Sequence, residues 1–128
     1  MKIAALIARI LLGLLFLVFG LNGFLHFIPM PPPSGNAGTF FMVIYTTHFI
    51  ALTFALEAIG GLLLLVGRFV PLGLVLLAPI LVNILTFHFS MAPAGLPLAI
   101  VATILWLIVF AAYRKYFMSL FVARAVPV

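Results

Sequence analysis

Four apolar runs, each about as long as a bilayer is thick, constrain this chain more than any other feature. Residues 5–28, 46–66, 70–89 and 94–113 each hold no more than one charged side chain. A hydrocarbon core of roughly 30 Å, crossed at about 1.5 Å per helical residue, takes about 20 residues. The chain is 68% hydrophobic and only 5% charged, so it lacks the residues to build a wetted surface around a core. Lipid must solvate most of its outside. A membrane barrel would need short strands alternating apolar and polar residues, whereas these runs are apolar all round. Only helices satisfy the backbone inside such segments. The expected fold is therefore all-α: one domain of 128 residues forming a polytopic four-helix transmembrane bundle.

Proline and glycine punctuate the runs where the spans should end. Pro29, Pro31, Pro32 and Pro33, followed by Ser34-Gly35, cannot continue a helix and open an outer loop over residues 29–45. A second outer loop falls at residues 90–93. Pro71 and Pro97 suit the first turns of the third and fourth helices. Pro79 lies inside the third span, removes the hydrogen bond to the Val75 carbonyl and should bend the helix. The apolar stretch from Thr39 to Thr47 reads equally as a short interfacial helix or as an extension of the second span.

The six basic residues set the orientation. Lys2, Arg9, Arg68, Arg114, Lys115 and Arg124 all fall on one side of a four-span bundle. The positive-inside rule then places both termini in the cytoplasm. Arg9, close to the first span, can snorkel to the interface. The first run is too long for a signal-peptide core and lacks a small-x-small cleavage site, so it is read as a span. Basic residues scattered at helix ends make no nucleic-acid surface. Without cysteine, thiolate catalysis and thiolate-bound metals are excluded.

The residues that cost energy in lipid are the candidates for function. Glu57, the chain's one acidic residue, lies near the middle of the second span. A charge there costs about 2.5–3.5 kcal/mol on insertion scales, so the carboxyl should face the bundle. Thr53, Glu57, Gly60, Gly61 and Leu64 share a helical stripe, where small residues let another helix approach. At the outer ends, Asn22 and His26 close the first span, and Asn83 and His88 close the third. His48 begins the second. Depth alone brings these three imidazoles to one leaflet. The expected ligand-binding set is Glu57, Asn22, His26, His48, Asn83 and His88. No metal is expected, for no His stands four residues from another and no Glu-x-x-His pair occurs. Amides and imidazoles between phenylalanine walls suit a quinone head group or a lipid-like small molecule.

Several of these residues also carry a resemblance. The run from Glu57 through Gly60-Gly61 to Gly67-Arg68, continuing past Pro71-Leu72 to Asn83 and His88, resembles the DoxX family of small bacterial membrane proteins, as does Gly20-Leu21-Asn22-Gly23. The resemblance implies a four-helix fold in the bacterial cytoplasmic membrane, with Glu57, Gly61 and Arg68 at positions the family tends to keep. It also implies a redox setting, since the family is named for similarity to a subunit of a thiosulfate:quinone oxidoreductase. Two functions are then expected of the chain. One is a quinone- or lipid-binding subunit with membrane redox partners, the other a non-catalytic assembly protein acting through its outer loops. Neither fixes whether it is an enzyme or an oligomer.

Overall fold

The computed structural model describes residues 2–128 and contains five α-helices: α1 (Lys2–Leu25), α2 (Gly35–Thr46), α3 (Ala51–Val66), α4 (Val70–Ser90) and α5 (Leu96–Tyr113). A 3-10 turn, Pro93–Gly95, leads into α5, and a 3-10 segment, Arg114–Phe121, follows it. Three stretches, Lys2–Leu25, Val70–Met91 and Pro93–Phe121, are each long and apolar enough to cross a membrane. A fourth crossing is counted when α2 and α3, set at 87° to each other across a short break, are taken together as one bent span.

Helices α1, α3, α4 and α5 close a ring in which α1 packs on α3, α3 on α4, α4 on α5, and α5 back on α1. The centre of the ring is leucine-rich: Leu12, Leu64, Leu74, Leu77 and Val109 are fully buried. Lipid-facing positions carry the exposed Leu, Ile, Val and Phe that the composition required.

Glycine decides how closely the helices meet. A Cβ on Gly61 would run into the backbone nitrogen of Leu17 and lie 2.7 Å from the Gly13 carbonyl oxygen. One on Gly20 would lie 2.6 Å from the Ala58 nitrogen. The antiparallel helices α1 and α3 therefore touch backbone to backbone, the arrangement by which small residues drive helix association in lipid. Gly60, one residue before Gly61, faces the other way, towards Leu77 on α4. The Gly60-Gly61 pair thus lets α3 sit tightly against two neighbours at once. Trp106 ties α5 to α4 by donating its indole N–H to the Leu74 carbonyl at 3.1 Å.

The second crossing differs from the unbroken helix over residues 46–66 that hydropathy suggests, and residues 29–45 are not all loop. Chain direction changes at Thr47–Ile50. The Thr46 hydroxyl donates to the Met42 carbonyl at 2.7 Å and the Thr47 hydroxyl to the Val43 carbonyl at 2.6 Å, closing the last turn of α2. His48 then adopts φ of 60° and turns the backbone left-handed. Hydropathy misses this break because Thr39 to Gly60 contains neither proline nor an internal glycine. The remaining helix, α3, has 16 residues, about 24 Å of rise. It is shorter than a typical hydrocarbon core.

Gly61→Ala should lower the unfolding free energy in mixed micelles by about 1–3 kcal/mol, because the added methyl meets immovable backbone. Gly73→Ala, whose Cβ would find its nearest atom at 3.2 Å, should cost markedly less.

Candidate functional site

Glu57 is the seventh residue of α3, about 9 Å along the axis from the corner at its start. It stands one turn before Gly60 and Gly61, so it points into the angle between the face that meets α1 and the face that meets α4. Only 7% of its surface is accessible. No hydrogen bond to its carboxyl is formed among the described residues, although one carboxyl can accept several. Its oxygens keep a small opening to the surroundings, so the unused hydrogen-bonding capacity of this intramembrane acid can be taken up by a polar group from outside.

One turn before Glu57, at the start of α3, aromatic rings from α1, α2, α3 and α4 cluster and form a roof over that end of the bundle. Helix α2 crosses the end of the bundle where α3 begins and docks through Phe40, Phe41 and Tyr45. Phe41 meets Phe87 of α4 at 5.2 Å between ring centres, and Phe40 meets the same ring at 5.8 Å. Tyr45 meets Phe54 of α3 at 5.8 Å, and Phe54 packs edge-on against Phe24 of α1 at 6.1 Å. The Tyr45 phenol is also within electrostatic reach of the Glu57 carboxylate. Within α2 only Ala37 is buried. Each aromatic pair contributes about 0.5–1.5 kcal/mol, so α2 is held by a few kcal/mol and is the least anchored helix.

The other candidate residues hold the outer turns in shape. Asn22, 7% exposed, accepts the Ile28 N–H on its side-chain oxygen at 2.7 Å and donates back to the Ile28 carbonyl at 3.4 Å. It fastens the loop that leaves α1. His88 is half-buried against Gly95, and its Nδ1 lies 3.1 Å from the Ala92 carbonyl oxygen, bracing the α4–α5 turn. His26 and His48 are exposed and both left-handed, with φ of 52° and 60°. Histidine is among the non-glycine residues enriched in that conformation, and each here ends or bends a helix. The His26 ring rests over Tyr45 at 6.2 Å. Asn83 faces outward and donates to the Pro79 carbonyl at 3.0 Å.

Depth alone suggested that the three imidazoles would converge. Among the described residues, no three of the His and Glu side chains come together at a spacing that could hold a metal. Asn83 and His88, five residues apart, point about 140° apart on a regular helix, and no local widening of α4 brings them onto one face. The arrangement centres on Glu57 and the aromatic roof. Tyr45, Phe41, Phe54 and Phe87 were not singled out by sequence reasoning, although the four-residue spacing of Phe41 and Tyr45 places both on one face of α2.

Two clefts open elsewhere. One, between the outer half of α4 and the start of α5, is lined by Leu85, Thr86, Phe89, Ser90, Leu96 and Ile100. The other lies at the opposite end of the bundle, between α1 and α5. Neither is lined by Glu57.

A ring of apolar helices around a lone buried acid defines a small multi-pass membrane protein. The family profile of DoxX matches residues 4–90, from α1 through α4, and the chain belongs to the DoxX family. Neither the curated proteins nor the solved structures include a match to it.

Asn22→Ala should strand the Ile28 N–H and cost about 1–3 kcal/mol, read as a lower melting temperature and faster proteolysis within residues 26–34. His48→Gly should raise stability by about 1 kcal/mol, since glycine adopts the left-handed corner without strain.

Proposed function

We propose that this protein is a ligand-binding subunit of a membrane redox system, taking a quinone or a similarly flat lipid-like molecule at Glu57 beneath α2. The observation that carries this reading is a nearly enclosed acid, 7% accessible, that forms no hydrogen bond among the described residues and lies one turn from a cluster of aromatic rings. A carboxyl in its acid form can donate to a quinone carbonyl, and as a carboxylate it can accept from a quinol hydroxyl. The aromatic rings supply flat apolar walls of the kind small-molecule sites use. Entry requires α2 to swing away, and its weak anchorage suits a lid. Reduction of the quinone itself is assigned to a partner subunit, since a chain without cysteine offers no thiol for electron transfer. The bacterial cytoplasmic membrane fits the family, and the positive-inside rule puts the basic end of the bundle in the cytoplasm.

Two experiments bear on this. Purified protein should carry quinone in its lipid extract, and Glu57→Leu should weaken binding of a short-chain quinone about tenfold, the loss of one hydrogen bond. An extract free of quinone, together with no binding of added quinone, sinks the reading. Because the native chain has no cysteine, a bismaleimide bridge between Phe41→Cys and Phe87→Cys joins α2 to α4 at a single place. Bridged protein should exchange quinone far more slowly than the unbridged double variant.

The alternative, a non-catalytic assembly protein, draws on the exposed prolines between α1 and α2. Under that reading, replacing residues 29–34 abolishes partner association while Glu57→Gln leaves it intact. Orientation has its own test. A cysteine at Ser34 should label from outside intact cells, and one at Ser119 only after permeabilisation.

A further inference from the structure

The end of the molecule away from Glu57 holds a second polar site. Between the start of α1 and the end of α5 lies a cleft of about 330 Å³, lined by Lys2, Ala5, Leu6, Arg9, Ala112 and Tyr113. Arg9 reaches across the mouth of the ring, so that a Cβ on Gly67, at the end of α3, would run into its guanidinium. Its Nε is buried and has no hydrogen-bond partner among the described residues. No carboxylate is available to it. Glu57 lies ten residues back along α3 from Gly67, about 15 Å away, and the C-terminal Val128 is fully exposed. Six basic side chains and one acidic one leave this end with an uncompensated positive charge. A guanidinium partly withdrawn from water, with no anion of its own chain against it, favours one from outside.

The position of the cleft identifies the source. It opens between two membrane-crossing helices at the level where their apolar faces end. The 3-10 segment after α5 continues this interface: Phe117 turns inward against Phe110 at 5.0 Å, while Arg114 and Lys115 stay exposed. Basic pockets between transmembrane helices on the cytoplasmic side hold anionic lipid head groups. A volume of 330 Å³ falls at the small end of the roughly 300–1,000 Å³ range of small-molecule clefts and suits a head group whose acyl chains stay in the bilayer. We infer that the α1–α5 cleft binds the phosphodiester head group of an anionic phospholipid, with Lys2 and Arg9 neutralising the phosphate and the Tyr113 hydroxyl donating to it. This site is separate from the one at Glu57 and stands whether or not that one takes a quinone.

The test uses full-length protein stripped of lipid in neutral detergent, read by native mass spectrometry and thermal melting. Phosphatidylglycerol should be retained in preference to phosphatidylcholine and should raise the melting temperature. Lys2→Gln should weaken phosphatidylglycerol binding about fivefold, the effect of one basic side chain at a membrane surface. Lys115→Gln removes the same charge outside the cleft and should leave binding unchanged. Arg9→Gln should weaken it further. If the contact with Gly67 makes that variant unstable, Tyr113→Phe reports on the cleft in its place. Equal retention of phosphatidylcholine overturns the inference, as does an equal loss in Lys115→Gln. A melting shift from inorganic phosphate that matches the lipid's would reassign the site to a free anion and overturn the lipid assignment.

Discussion

The backbone contact between α1 and α3 is the constraint on which the rest of the structure depends. Lipid offers helices no hydrophobic reason to associate, because tails and leucine side chains are equally apolar. Association must come from close packing, and Gly13, Gly20 and Gly61 supply it by letting the two backbones meet. That contact fixes the rotation of α3. Once Gly61 faces α1 and Gly60 faces α4, the residue one turn earlier can only point between them, so the glycine pair places the acid at position 57. A helix rotated by half a turn would present the same carboxyl to hydrocarbon, at a cost of several kcal/mol. Packing and polarity therefore choose the same rotamer of the bundle, which is the mutual consistency that gives a sequence one structure.

Much of this was legible in the sequence because bilayer physics is blunt. Span length, the bunching of basic residues and the inward turn of Glu57 all follow from the expense of charge and open backbone in lipid. What the sequence hid was a matter of corners. His26 and His48 looked like ligands because imidazoles are chemically versatile, yet their backbones show them at left-handed turns that histidine tolerates better than most residues. Asn22 looked like a site residue because amides are rare in spans, and it spends its side chain on its own loop. The bend before α3 left no mark in hydropathy, since a helix lying on the bundle and one crossing the membrane can be equally apolar. The aromatic roof escaped notice for a related reason: phenylalanine is so common in this chain that no single ring stands out until the fold brings rings from four helices together.

Charge is distributed with an economy set by there being one acid and six bases. Among the described residues no basic side chain has a carboxylate beside it, so the electrostatics of the molecule is completed by its surroundings. At one end those surroundings must supply anions to balance the clustered basic side chains. At the other, the carboxyl at position 57 waits beneath α2 with hydrogen-bonding capacity to spare. The two ends thus make opposite chemical demands and can respond to different molecules, while the leucine core between them keeps them about 15 Å apart along the helix axes.

The shortness of α3 has a consequence for the membrane itself. With about 24 Å of rise where its neighbours extend further, the bundle is lower along one flank than along the others. Acyl chains beside that flank must shorten by tilting or disordering, or leave room for α2 to sink into the space above them. The protein therefore carries its own dent in the bilayer, on the flank where its loosest helix lies. A hydrophobic molecule diffusing in the leaflet on that side would meet thinner, less ordered lipid there than along the taller flanks of the protein.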